Sequence, residues 1–264
     1  MSIVEAARAR WVLRFDGSST VTEGGARIVL IKETGEVVAM SFKLDFLCTN
    51  NTTEYEAYLT ALAVAREMGI KHLRVIGDSN LVVCQAKGEF ALKEPSLAPY
   101  RAMAQILEDS FEDFDIQHSQ RFDNRFVDAL ATLGAKISFE GTVTEVTIIK
   151  KPVIAIQVLK EEFFDQPLDE VDWRSPIKEA LLSPSSKEQL KCFKDYTLGA
   201  GELYRKFPGG VLARCLGLSE SGKRLREVHE KSCSSNGIIS LYRCLQRLGY
   251  YWPDMDKQAA NIQS

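Results

Sequence analysis

Three short β-strands joined by tight turns constrain this chain most. Trp11, Leu13 and Phe15 alternate with Val12, Arg14 and Asp16, the period-2 pattern of a strand, and Gly17 with two serines ends it. Gly24 and Gly25 lead into a second strand over 26–31, and a turn at Glu33–Glu36 leads into a third over 37–42. Turns this short join only antiparallel neighbours, so the three strands form a meander. A polar, cap-rich run from Cys48 to Thr53 then opens a helix expected from about Thr53 to Met68. That helix carries Tyr55, Leu59, Leu62 and Ala63 on one stripe, and Gly69 closes it.

Beyond the helix, His72–Ile76 reads as a fourth strand ending in Gly77, Asp78 and Ser79. A short helix over 81–87, a longer one over 94–111 with Pro95 in its first turn, and a strand over 114–118 follow. A last helix over 124–135 places Phe126, Ala129, Leu130 and Leu133 at helical spacing. Residues 9–137 therefore read βββαβααβα, an α/β arrangement of a mixed sheet with helices packed over it.

The four candidate acids sit on these elements. Asp16 ends the first strand, Glu54 lies in the first turn of the long helix, Asp78 ends the fourth strand and Asp128 lies in the last helix. If the first and fourth strands are neighbours, Asp16 and Asp78 stand side by side. Like charges that close are costly unless a divalent cation sits between them. Magnesium takes a few carboxylates plus water and phosphate oxygens, and two such ions about 3.5–4 Å apart suit in-line phosphodiester hydrolysis. Each acid also has an ordinary reading. Asp16 could cap a turn, Glu54 could answer the helix dipole, and Asp128 could be a solvated helix acid. Glu56 is a rival to Glu54, pointing to a different face.

Composition bounds the partners. The chain has 264 residues, enough for one large or two modest domains, and a net charge of −3, so any nucleic-acid site must be local. No apolar run approaches the roughly 20 residues of a membrane span, so no membrane partner is expected, and the N-terminus has no apolar signal core. Six cysteines without a C-x-x-C pair point to a reducing, intracellular setting, cytoplasmic or nuclear.

The runs FDGSS (15–19), TNNTTEYEAYLTAL (49–62), GDSNLVV (77–83) and NRFVDALATLGAKI (124–137) resemble the ribonuclease H domain of plant Ty3/Gypsy-type retrotransposon polyproteins. The resemblance covers about half of the chain. It implies an RNase H-like fold with a mixed five-stranded sheet over 9–138, which cuts the RNA strand of an RNA–DNA hybrid. It also implies two Mg²⁺ ions, with Mn²⁺ as a substitute, held by Asp16, Glu54, Asp78 and Asp128, and so selects Glu54 over Glu56. Gly17, Asn50, Asn51 and Arg121 match positions that contact nucleic acid. Amide side chains and helix N-terminal N–H groups suit sugar and phosphate. Some members use a mobile histidine near the last loop; His118 ends a strand instead and reads as a packed or surface histidine. Arg27 departs from the family pattern, which usually has glycine there.

Residues 139–185 read as a linker with docking pieces, including a strand-like run over 143–149. A hairpin over 196–204, a strand over 211–215 and helices over 223–231 and 238–248 follow. The run from Val228 to Ala259 resembles the zinc-binding module that precedes a retroelement integrase core, so 186–264 reads as a small, mainly helical, truncated module. That module joins two histidines to a later C-x-x-C. Here His229 matches the first, Asn236 stands at the second, and the C-x-x-C would fall after Ser264, so no zinc is expected from that set. Cys233 and Cys244 then read as ordinary thiols, and the tract from Gly249 to Trp252 as the module's packing surface. The resemblance makes the reverse transcriptase and integrase portions of one polyprotein the expected partners. The alternative is a catalytically inactive, nucleic-acid-binding relic of such an element.

Overall fold

A computed structural model describes residues 9–19, 24–119, 146–163, 172–183, 191–233 and 240–263. The chain divides into two compact units, residues 1–86 with 100–165, and 87–99 with 166–264. Arg121, Asp128 and the helix expected over 124–135 lie outside the described residues.

The first unit is built on strands β1 (Arg10–Ser19), β2 (Gly24–Lys32), β3 (Val37–Leu44), β4 (His72–Gly77), β5 (Asp113–His118) and β6 (Val146–Lys151). Their spatial order is β5-β4-β1-β2-β3-β6. The meander is as expected: β1–β2 and β2–β3 are antiparallel. Gly35 adopts φ +95 in the β2–β3 turn, where its N–H donates to the Lys32 carbonyl at 2.9 Å; a side chain there would strain the backbone. β4 runs parallel to β1, and β5 parallel to β4.

The sheet has six strands where five were expected. The sixth is β6, from the stretch read as a linker with docking pieces, and it pairs parallel with β3 from Ala39↔Val146 to Leu44↔Lys151. The Asp45 N–H extends the ladder to the Lys151 carbonyl at 3.0 Å. Without β6 the edge of β3 would present unpaired backbone groups, which sheets avoid.

The helices of this unit are α1 (Asn50–Glu67), α2 (Asn80–Ala86), α3 (Ala98–Glu108) and α4 (Ala155–Phe163). The longer helix expected over 94–111 is split by a 3-10 turn over Pro95–Leu97. α1 begins earlier than Thr53, with Asn50 and Asn51 inside its first turn. The reason is a cap: Thr49 Oγ1 accepts the Thr52 N–H, and Thr52 Oγ1 accepts the Thr49 N–H. Tyr55, Tyr58, Leu59 and Leu62 are fully buried in α1, and Trp11, Leu13 and Phe15 are the buried set of β1. The Phe15 and Tyr58 rings lie 5.0 Å apart between sheet and helix.

α1 is buried on more than one face, because α4 packs against it as well as the sheet. Glu56, 0% exposed, is the consequence. Its carboxylate accepts the Ala155 N–H at the start of α4, at 2.9 and 2.8 Å to its two oxygens. It also accepts the Tyr100 hydroxyl at 2.9 Å and pairs with Lys151 at 3.3 Å. A buried carboxylate needs this set of donors.

The second unit holds a sheet of order β10-β9-β8-β7, from β7 (Tyr196–Gly199), β8 (Glu202–Lys206), β9 (Leu212–Cys215) and β10 (Tyr250–Tyr251). Its helices are α5 (Ser175–Leu182), α6 (Leu218–Cys233), α7 (Leu241–Arg247) and α8 (Met255–Gln263). Leu225, Val228, Leu241, Leu245, Tyr250, Trp252 and Met255 form its helical core. The aromatic tract therefore packs inward, and Trp252 Nε1 donates to Gln258 at 2.9 Å.

Candidate metal centre

The parallel β1–β4 register pairs Phe15 with Gly77. Asp78, just after β4, and Asp16 are the next residues, so they stand side by side where the β1–β4 pairing stops; β1 itself runs on to Ser19 beside β2 and does not end at Asp16 as expected. Glycines allow the close packing beneath them: a Cβ on Gly77 would come within 2.5 Å of the Phe15 ring. The third acid arrives on α1. Gly17 N–H donates to Glu54 Oε2 at 3.2 Å, tying the helix to β1; because α1 starts at Asn50, Glu54 lies just past its first turn and not within it as expected.

Asp16, Glu54 and Asp78 each offer one carboxylate oxygen, and these oxygens all lie within 4.8 Å of one another. Asp78 Oδ1 is buried and makes no hydrogen bond to any described residue. A buried carboxylate oxygen left without a donor, inside a cluster of like charge, fits a cation-binding role. Oxygen donors of this kind, few in number and half-buried, fit Mg²⁺ or Mn²⁺ and leave room for water and phosphate.

The structure brings three of the four expected acids together; Asp128 and Arg121 lie outside the described residues. Asn50 and Asn51 sit in the first turn of α1, and Ser19 Oγ donates to Asn50 Oδ1 at 2.8 Å. His118 pairs with Gly77 at the end of β5 and is exposed, one strand further out. Glu56 faces α4 and takes no part in the cluster.

Arg27 is the residue whose place the strand patterns alone left open. It is the ladder partner of Asp16, and its Nη1 lies 3.2 Å from Asp16 Oδ2. Counting the β1–β2 register back through the hairpin would have put the two opposite each other.

Residues 14–134 match the family model described as reverse transcriptase-like. The chain is 36% identical over 119 residues to the ribonuclease HI of Halobacterium salinarum, a match covering 44% of this chain and 60% of that protein. It is 31% identical over 123 residues to a bifunctional protein of Mycobacterium tuberculosis, over 46% of this chain and 34% of that one. The crystal structure of the Halobacterium salinarum RNase H1 aligns with TM-score 0.43 and 32% identity, over 46% of this chain and 92% of that one. The chain thus spans less than two thirds of the length of these two curated relatives. No described helix is long and apolar enough to cross a membrane.

Proposed function

We propose that the RNase H-like unit hydrolyses the RNA strand of RNA–DNA hybrids with bound divalent ions, Mg²⁺ first and Mn²⁺ as a substitute. The observation that carries this is the trio of Asp16, Glu54 and Asp78, with donor oxygens within 4.8 Å and one Asp78 oxygen buried without a hydrogen bond. The 36% identity over 119 residues to a ribonuclease HI supports the reaction class, and the segment that matches the family model, 14–134, holds all three acids.

Asp16, Glu54 and Asp78 would hold the ions, with Asp128 as the fourth ligand. Bound there, the metal supplies a deprotonated water and stabilises the leaving oxygen. The protein's own part is positional. The paired strands β1 and β4 would fix Asp16 and Asp78, and the Gly17 N–H would hold Glu54 toward them. Asn50, Asn51 and the N–H groups at the start of α1 would meet sugar and phosphate, with Arg121 as a further phosphate contact. None of these contacts reads base identity, which suits cleavage without strong sequence preference.

The unit reads best as part of a plant Ty3/Gypsy-type retrotransposon polyprotein fragment, acting in the cytoplasm or nucleus beside reverse transcriptase and integrase portions. The second unit would be a module like the zinc-binding one that precedes a retroelement integrase core, without zinc held by the expected pair of histidines because Asn236 stands at the second position. A second reading, a nucleic-acid-binding relic without turnover, is favoured by one observation: the ion pair of Arg27 with Asp16.

Cleavage of an end-labelled RNA–DNA hybrid by the purified chain decides between them. Cutting confined to the RNA strand, present with Mg²⁺, absent with EDTA and lost in Asp78→Asn, supports the enzyme. Folded protein that binds hybrid without cutting it supports the relic.

A further inference from the structure

Arg27 brings a positive charge to an acid that the proposed function assigns to metal. Its guanidinium lies 3.2 Å from Asp16 Oδ2, with the two side chains 30% and 16% exposed. The contact is built in rather than incidental, because Arg27 is the antiparallel ladder partner of Asp16. Ladder partners stand about 4.5–5.5 Å apart at Cβ, so neither side chain leaves the other's reach while the sheet is intact. A guanidinium keeps its proton at any working pH.

We infer that Arg27 is a tethered cation that competes with the divalent ion for Asp16. An arriving ion must take Asp16 Oδ2 from the guanidinium or bind through the remaining oxygen alone. The guanidinium also relieves repulsion among the three acids of the metal-free protein, which widens the gap that metal binding has to overcome. The site is therefore set to fill only at raised divalent concentration. This inference rests on the proposed function, in which the three acids are the metal ligands.

The test is Mn²⁺ binding to the full chain without nucleic acid, followed by the paramagnetic resonance of the free ion. Arg27→Gln keeps a polar side chain, though a shorter one, and removes its charge. It should bind Mn²⁺ about tenfold tighter than the parent, the scale expected when one nearby positive charge is removed from a water-exposed site. Arg27→Lys keeps a cation and should stay close to the parent. The Mg²⁺ concentration for half-maximal cleavage should fall by a similar factor in Arg27→Gln. Equal Mn²⁺ affinity in Arg27→Gln and the parent, with binding lost in Asp78→Asn, overturns the inference and leaves the metal centre standing. Unchanged Mn²⁺ binding in Asp78→Asn overturns both. Thermal unfolding of each metal-free variant reports folding, and Arg27→Ala carries the same expectation if Arg27→Gln does not fold.

Discussion

Gly17 lies so close to the first turn of α1 that a Cβ on it would come within 2.5 Å of the Thr53 carbonyl carbon and oxygen. The same atom would lie 2.6 Å from the Glu54 amide nitrogen. These neighbours are backbone of a capped helix, so they cannot turn aside as a side-chain tip could. Gly17→Ala should therefore push the start of α1 away from β1. The expected loss is about 2 kcal/mol of stability, the usual range for overpacking, read as a lower midpoint in urea. Mn²⁺ affinity should fall with it, because Glu54 travels with the helix. Unchanged stability and metal affinity would mean that the two elements are not in this contact.

Asp78 sets function against stability. Its Oδ1 is buried without a hydrogen bond, among two other acids. Asp78→Asn removes one of three like charges while keeping the shape. The metal-free variant should be more stable than the parent by about 1 kcal/mol, and should lose the rise in melting temperature that Mn²⁺ gives the parent. A less stable metal-free variant would argue against repulsion at this site.

Glu56 pins α4 to α1 through the Ala155 N–H, the Tyr100 hydroxyl and Lys151. Burial pulls the Lys151 ammonium below its ordinary value of 10.5, against the opposing pull of Glu56. Removing the carboxylate's charge leaves that cation buried without its counter-ion. Glu56→Gln should cost about 3 kcal/mol. Lys151→Met should cost less, about 1 kcal/mol, since Glu56 keeps the Ala155 and Tyr100 donors and the desolvated ammonium is gone. Urea unfolding of the two variants checks the order; a larger loss in Lys151→Met would reverse the assignment of the central group.

Alkali should weaken both units. Burial raises Tyr55, Tyr58 and Tyr204 above their ordinary value of 10.0. The native state then holds protons that the unfolded chain gives up. Their contribution is fully present below pH 10 and is lost as pH rises above it. Each such tyrosine adds a slope of about −1.4 kcal/mol per pH unit there. Denaturation midpoints should be flat up to about pH 10 and then fall, and phenolate absorbance from these residues should rise only as the chain unfolds.

The meander was legible because it depends on local rules, period-2 alternation and short turns; the acid cluster was legible only in part, since the choice of Glu54 over Glu56 came from the resemblance, and β1 runs on to Ser19 past the expected end at Asp16. Register was within reach too, yet it takes counting across a hairpin, and that count is what puts Arg27 on Asp16. β6 was less legible. A strand-like run at 143–149 carries no mark of which edge it joins, and the pairing with β3 depends on an edge more than a hundred positions earlier in the chain. Glu56 was opaque for the same reason. Its sequence setting is that of an exposed helix acid, and only α4 arriving from residue 155 turns it into a buried one. The cap-rich run over 48–53 offers several polar residues as the helix cap, and the pairing of Thr49 with Thr52 that sets the start at Asn50 is a matter of side-chain geometry that the run alone does not single out.

β1 carries hydrogen-bonded neighbours on both flanks, β2 on one side and β4 on the other. Such a strand cannot fray from an edge; opening it means breaking two ladders at once. Amide hydrogens from Val12 to Phe15 should therefore exchange with solvent among the slowest in the chain, through unfolding of the unit as a whole. Asp16 is thus mounted on an interior strand held from both sides, and the acid's backbone holds its place for as long as the unit stays folded.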